Sequence, residues 1–187
     1  MAARSRPVVE LVDLSLPAGA AEADAEPWIA GLRSAVRGLA PRVDQEEFSG
    51  RAADTLAVAD GDPYRSPFAI VHDGAAVGFG VLDAQGYRDE IAGERGRPVL
   101  LRAFYVAAAF QGRGLGGAAI ARLPEAARTV VPEADTLMLT VNVRNAGARA
   151  AYLAGGFVDA GDLYLGGDAG PQHILRMALA SRGVGAL

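Results

Sequence analysis

The apolar positions of this chain change period several times, and the changes mark its elements. Pro7–Leu14 alternates, with Val9 and Leu11 on one face and Val8, Val12 and Leu14 on the other, and predicts a first strand. Glu26–Leu39 carries Trp28, Ile29, Leu32 and Val36 at helical spacing. A second helical stretch is expected over Gln45–Ala57, before the polar turn Asp60-Gly61-Asp62-Pro63. Pro67–His72 and Ala75–Asp83 flank Asp73-Gly74, which reads as a hairpin. A polar loop, Ala84–Pro98, leads to the apolar strand Val99–Val106. The helix expected over Leu115–Thr129 has Ile120, Leu123 and Ala127 as its stripe. An interior proline costs about 3 kcal/mol, so a break is expected near Pro124. Thr136–Val141 reads as a buried strand, and Asn145 caps a helix to about Ala154 that Gly155-Gly156 ends.

The junction after Val99–Val106 carries the strongest chemical signal. Gln111-Gly112-Arg113-Gly114-Leu115-Gly116 opens a helix directly after that strand. Glycines let the backbone turn and let a ligand approach the main chain. The unpaired first amides of the helix and its dipole favour an anion, and Arg113 adds a charge. A phosphate-bearing ligand follows. A P-loop is excluded, because it needs a Lys-Ser/Thr pair and the chain has no lysine. Gly112, Gly114 and Gly117 spell the dinucleotide fingerprint, but Glu133 and Asp135 precede a strand instead of ending one. A Gly-rich turn without a ligand is the remaining alternative.

A second motif lies about thirty residues on. Asn145 and Tyr152 are seven residues apart, about 700° of helix, so they leave nearly the same face roughly 10 Å apart along the axis. An amide and a phenol in line beside a phosphate loop suit a long, thin ligand with a polar arm, such as pantetheine. Gln111-x-x-Gly114-x-Gly116 and Asn145-x-x-Ala148-x-x-x-Tyr152-x-x-x-Gly156-Phe157 together resemble the signature segments of the GNAT family of acyl-CoA N-acyltransferases. The tail from Gly166 through Met177 is similar to the closing strands of a bacterial branch, some of whose members acetylate small amines such as polyamines.

The resemblance implies an α/β (α+β) fold, with a mixed, mostly antiparallel central sheet of about six to seven strands flanked by helices. It implies one such domain over residues 1–187. The cosubstrate would be acetyl-CoA, with no metal. Its contacts would come from Phe104, Tyr105 and Val106 on the strand and from Gln111, Gly112, Arg113, Gly114, Leu115 and Gly116 in the turn. Asn142, Asn145 and Ala148 would complete them.

The implied chemistry is direct attack of an amine on the acetyl thioester. An alkylammonium with pKa near 10.4 must lose a proton, and an oxyanion needs a donor, expected from a backbone N–H of Val99–Val106. The departing thiolate must be protonated, and Tyr152 is the expected general acid. Several family members place a glutamate on the central strand four residues before its final valine, where this chain has Arg102, so proton removal through ordered water is expected. His72 and His173 are read as structural. Tyr105 faces either the acceptor cleft or the core, depending on a bulge.

Composition narrows the partners. The 187-residue chain can bury a full core, and no apolar run approaches the roughly 20 residues of a membrane helix. The N-terminus lacks the apolar stretch of a secretion signal, so a cytoplasmic protein without membrane partners is expected. Zero cysteines exclude a disulfide scaffold and thiolate chemistry, and two histidines exclude a three-histidine metal site within one chain. A net charge of −4 argues against nucleic acid. Asp83, Asp89, Glu90 and Glu94 form an acidic cluster suited to a cationic acceptor. The expected partners are thus acetyl-CoA and a small amine, in a monomer or homodimer. A non-catalytic acyl-CoA sensor and a protein N-acetyltransferase remain as alternatives.

Overall fold

A computed structural model describes residues 7–86 and 96–180. Its seven strands are β1 (Glu10–Asp13), β2 (Arg65–His72), β3 (Ala75–Asp83), β4 (Pro98–Val106), β5 (Thr136–Asn142), β6 (Val158–Tyr164) and β7 (Gln172–Ala178). They form one sheet in the order β1-β2-β3-β4-β5-β7-β6. Every neighbouring pair is antiparallel except β4 with β5. The helices are α1 (Pro27–Arg37), α2 (Ala52–Asp60), α3 (Leu115–Ile120), α4 (Leu123–Val130) and α5 (Ala146–Ala154).

The β2–β3 hairpin follows from its turn. Asp73 (φ 49°) and Gly74 (φ 77°) both adopt positive φ, as a type I′ turn requires, and its twist matches the strands it joins. One sheet face packs against α3, α4 and α5 through Val99, Leu101, Leu115, Ile120, Leu123 and Leu137. The other packs against α1 and α2 through Leu14, Val36, Leu56, Phe79 and Tyr105. The alternation predicted for the first strand holds where it is buried, with Val9 and Leu11 toward the first cluster and Leu14 in the second.

Several boundaries differ from the sequence reading. The first strand is only Glu10–Asp13. The stretch expected over Gln45–Ala57 is instead a 3-10 stretch, Val43–Phe48, followed by α2. Ser49 and Arg51 are extended, and that ends one helix before the other begins. Trp28 sits outside the core at 59 % exposure, while Val36 on the same helix is fully buried. The break near Pro124 occurs as expected. α3 stops at Ile120, and Pro124 lies in the first turn of α4, where its missing N–H costs nothing. β6 precedes the tail segment from which closing strands were expected. Asp89, Glu90 and Glu94 lie outside the described residues.

Arg33 is the largest departure from pattern. It occupies the face of α1 that turns inward and is wholly buried. Its Nη1 donates to Leu14 O at 2.5 Å, and its Nη2 donates to Asp60 Oδ2 at 2.5 Å. Glu22 lies 3.7 Å away. One guanidinium thus ties the end of β1 to both helices of this layer.

Two irregularities of β4 position the site. Phe79 pairs with Tyr105 but Val81 pairs with Arg102, so Gly80 faces two residues, Ala103 and Phe104. Ala103 takes φ 48°, the left-handed conformation of a bulge. A Cβ on Gly80 would lie 2.4 Å from the Phe68 ring, and one on Gly78 would lie 2.4 Å from Tyr105 O. Only glycine admits the Phe68 ring at the first position and the β4 backbone at the second. The second irregularity is a split. β4 and β5 pair only from Pro98↔Thr136 to Leu100↔Met138, and beyond that the facing edges have no ladder between them.

Candidate active site

Two cavities adjoin the split. The strand-side cavity, about 280 Å3, lies against Arg102, Phe104, Thr140 and Asn142. The loop-side cavity, about 390 Å3, lies against the glycine turn and the start of α3. Five residues line both: Ser49, Phe104, Asn145, Ala148 and Tyr152. The two spaces therefore meet at the face of α5 that the seven-residue spacing predicted.

The glycine turn folds as its composition demands. Gly112 and Gly114 have φ of 75° and 79°, and Gly114 caps α3. The first bond of α3 runs from Ala118 N–H to Gly114 O at 3.1 Å, which leaves the preceding amides of the helix without helical acceptors. Gln111 fixes the turn from the other side, donating from Nε2 to Val106 O (2.9 Å) and to Gln45 Oε1 (2.8 Å).

The structure brings together nearly all the residues singled out from the sequence. Tyr105, Val106, Gln111, Gly112, Gly114, Leu115 and Gly116 line the loop-side cavity. Asn142 lines the strand-side one, and Phe104, Asn145, Ala148 and Tyr152 line both. Arg113 is the exception. It lines neither, donates to Ala109 O at 3.1 Å and lies over the Phe110 ring.

Tyr152 packs between Phe104 and Phe157, with ring centroids at 6.1 and 5.6 Å. Burial pushes its phenol well above the usual value near 10, so it holds its proton at all ordinary pH. Asn145 caps α5, its side chain accepting from Ala148 N at 3.2 Å. Tyr105 resolves to the core. The bulge turns its ring onto Phe79, its hydroxyl donates to Leu39 O (3.1 Å), and it accepts from Ala52 N (3.0 Å). Desolvation raises its pKa too. Its share of the site is its place in the strand.

Arg102 stands where a carboxylate base was sought, with Nε 2.8 Å from Asp83 Oδ2. Asp83 is buried, also meets Arg65, and accepts from the amides of Gln85 and Gly86. That carboxylate is fully engaged and is no free base. His72 (Nδ1 2.7 Å from Val8 O) and His173 (Nδ1 3.1 Å from Asp159 Oδ2) both lie outside the cavity walls, as structural residues would.

The sequence reading missed Gln45, Phe48, Ser49, Arg144 and Asp168. Arg144 donates to Glu47 (2.9 Å) and Ala169 O (3.1 Å) and covers the Phe48 ring, so it joins three loops around the strand-side cavity. These residues come from loops far apart in sequence and form no periodic pattern, so no local signal marks them.

Comparison with known proteins agrees with this geometry. Residues 32–157 match the Acetyltransferase (GNAT) family. An uncharacterized N-acetyltransferase of Bacillus subtilis (strain 168) is 31 % identical over 134 residues, covering 71 % of this chain and 82 % of that one. The chain belongs to the GNAT acetyltransferase family. Among solved structures, AAC(6')-Ib in complex with paromomycin and acetyl-CoA superposes with a TM-score of 0.66 at 19 % identity, over 91 % of this chain and 93 % of that one. Spermidine N-acetyltransferase from Vibrio cholerae, in complex with CoA and spermine, gives 0.62 at 15 % identity, over 95 % and 98 %. At those identities the likeness is one of fold. Among the described residues no helix is long and apolar enough to cross a membrane.

Proposed function

We propose that the protein transfers the acetyl group of acetyl-CoA to a primary amine of a small molecule, with both substrates bound together. The observation that carries this reading is the meeting of two cavities at Tyr152, one of them walled by the bare amides of a glycine turn. The loop-side cavity takes the cosubstrate. Gly112 to Gly116 cradle its pyrophosphate, and its pantetheine arm runs along Val106 and Phe104 toward Tyr152. The strand-side cavity takes the amine.

In the reaction, the amine nitrogen forms a bond to the thioester carbon as the C–S bond breaks and its electron pair leaves on sulfur. A β4 amide beyond Leu100 serves the oxyanion, because the strand has no ladder partner on that side. Tyr152 gives its proton to the sulfur and recovers one from water, to which the nitrogen releases its surplus proton.

The deciding experiment is thiol release from acetyl-CoA with spermidine, kanamycin and 2-phenylethylamine, beside calorimetry of acetyl-CoA alone. Release with an amine supports the enzyme. Tight binding without release favours an acyl-CoA sensor, a reading that Arg102 in place of a carboxylate supports. Absence of binding removes both.

Two variants test the halves of the site. A Cβ on Gly116 would meet only Val106 Cγ2, at 3.8 Å, so Gly116→Val folds but projects into the loop-side cavity. Acetyl-CoA affinity should fall at least tenfold, and wild-type affinity by calorimetry would reject the cradle. Asp168 lines the strand-side cavity with no ion-pair or hydrogen-bond partner among the described residues, and suits a cationic acceptor. Asp168→Asn should raise KM for spermidine about two- to fivefold, the worth of an exposed charge pair, and most at low salt. An unchanged KM at low salt would dismiss the anchoring role.

A further inference from the structure

Leu100, Met138 and Ile174 form a small buried cluster on the sheet face that carries the strand-side cavity. The cluster ends with the last rung between β4 and β5, Leu100↔Met138. The next residue of β5 on that face is Thr140, which pairs with Ile174, and the neighbour of Ile174 on the same face of β7 is Gln172. Thr140 and Gln172 both line the cavity. The face thus turns from apolar to polar where the split opens.

Asn142, beside them, is spent. Its side-chain nitrogen donates to Ala169 O at 2.9 Å, and its oxygen accepts from Arg144 N at 2.9 Å. Thr140 and Gln172 differ from it. The Thr140 hydroxyl and the Gln172 amide are only half-buried, remain open to water, and have no hydrogen-bond partner among the described residues. A ligand entering the cavity displaces the water they hold. One without hydrogen-bonding groups of its own would leave both stripped of partners, so the floor favours a ligand that brings them.

The charges narrow the choice. Asp168 is the one carboxylate among the described lining residues, and Arg102 lines the same wall, so a long polycation meets little to balance it. Size narrows it further, since about 280 Å3 is a small site and drug-sized ligands typically occupy roughly 300–1,000 Å3. Thr140 and Gln172 are diagonal neighbours on paired strands, which sets them roughly 7 Å apart and within reach of one six-membered ring. A hydroxyl and an amide each donate and accept, as the hydroxyls of a ligand do. Phe48 and Tyr164 also line the cavity and suit the C–H faces of such a ring. We propose that the acceptor is a one-ring amine bearing hydroxyls, of the amino-sugar class, and that Thr140 and Gln172 bind its hydroxyls. This rests on the acetyltransferase reading above.

The test compares D-glucosamine with cyclohexylamine, a ring amine without hydroxyls, and with spermidine, each rate referred to its fraction of unprotonated amine. The wild type should use glucosamine with a kcat/KM at least tenfold above the other two. Thr140→Val keeps the shape and strand preference of the side chain, and Gln172→Met keeps its length. Each breaks no internal hydrogen bond among the described residues. Each should lower kcat/KM for glucosamine three- to tenfold, mainly through KM, and shrink its ratio to cyclohexylamine by the same factor. Thr140→Ser should keep the ratio, because it keeps the hydroxyl. Acetyl-CoA affinity by calorimetry should match the wild type in all three variants.

A wild type that acetylates cyclohexylamine or spermidine better than glucosamine would overturn the proposal and leave the acetyltransferase reading standing. A glucosamine-to-cyclohexylamine ratio unchanged in both Thr140→Val and Gln172→Met would overturn it as well. So would a matching loss of acetyl-CoA affinity, which would assign the two groups to the cosubstrate. If no amine releases thiol from acetyl-CoA, the acetyltransferase reading fails first and takes this proposal with it.

Discussion

Tyr152→Phe will lower kcat about a hundredfold, the usual worth of a positioned acid, and leave acetyl-CoA affinity close to that of the wild type. The ring stays between Phe104 and Phe157, so the variant loses only the oxygen. Burial gives this prediction a pH signature. The phenol is held above its ordinary pKa near 10, so its acid form persists to higher pH than that of a free tyrosine. The wild-type rate should therefore show no alkaline fall from this group at pH 10. Single-turnover measurements with acetyl-CoA and an acetylated amine would isolate the chemical step. An undiminished chemical rate in Tyr152→Phe removes the phenol from the mechanism, and an alkaline fall near 10 puts it in a wetter site than the cavity walls describe.

The second large effect is on stability. Arg33→Ala should destabilise the protein by about 3–5 kcal/mol, the cost typical of breaking a buried ion pair from one side. For a chain of this size the melting temperature would drop by about 6–20 °C. The loss has two parts. Leu14 O, on a fully buried residue, loses its guanidinium donor, and Asp60 loses the partner that balanced its charge at the end of α2. Arg33 lines neither cavity, so kcat at a temperature where the variant is folded should match the wild type. A melting temperature within a degree of wild type would show that the clamp organises this layer without stabilising it.

How much of this was legible in the sequence depended on whether the signal was local. The hairpin is written in Asp73-Gly74, and the break before α4 in Pro124, because turn chemistry and a missing N–H act over a few residues. The glycine turn and the Asn145–Tyr152 line were readable for the same reason, since backbone freedom and helical pitch place those groups without reference to the rest of the fold. Arg33 was not readable. An arginine at a helical position normally means a solvated face, and only the distant Leu14 and Asp60 make its burial affordable. Trp28 misled in the opposite direction, because a large apolar side chain on an amphipathic helix can still point past the edge of the core. Arg113 looked like a phosphate ligand from its place in the turn, but its side chain folds back onto Ala109 and Phe110. Ser49 and Asp168 reach the site through tertiary packing alone.

The extra residue in β4 makes it a strand with two phases. Before the bulge, Val99 and Leu101 face α3 to α5. After it, Phe104 and Val106 face that way, and odd numbering has given place to even. Tyr105 reaches the α1–α2 layer only because of this shift. A β4 that kept all nine residues but alternated strictly, without the bulge, would exchange the faces of every residue beyond Ala103. Phe104 would leave the junction of the cavities, and Tyr105 would release Leu39 and Ala52. An engineered or natural variant could thus keep every residue of the catalytic motif and still lose its reading frame in space. The bulge in this strand, as much as its composition, is part of the active site.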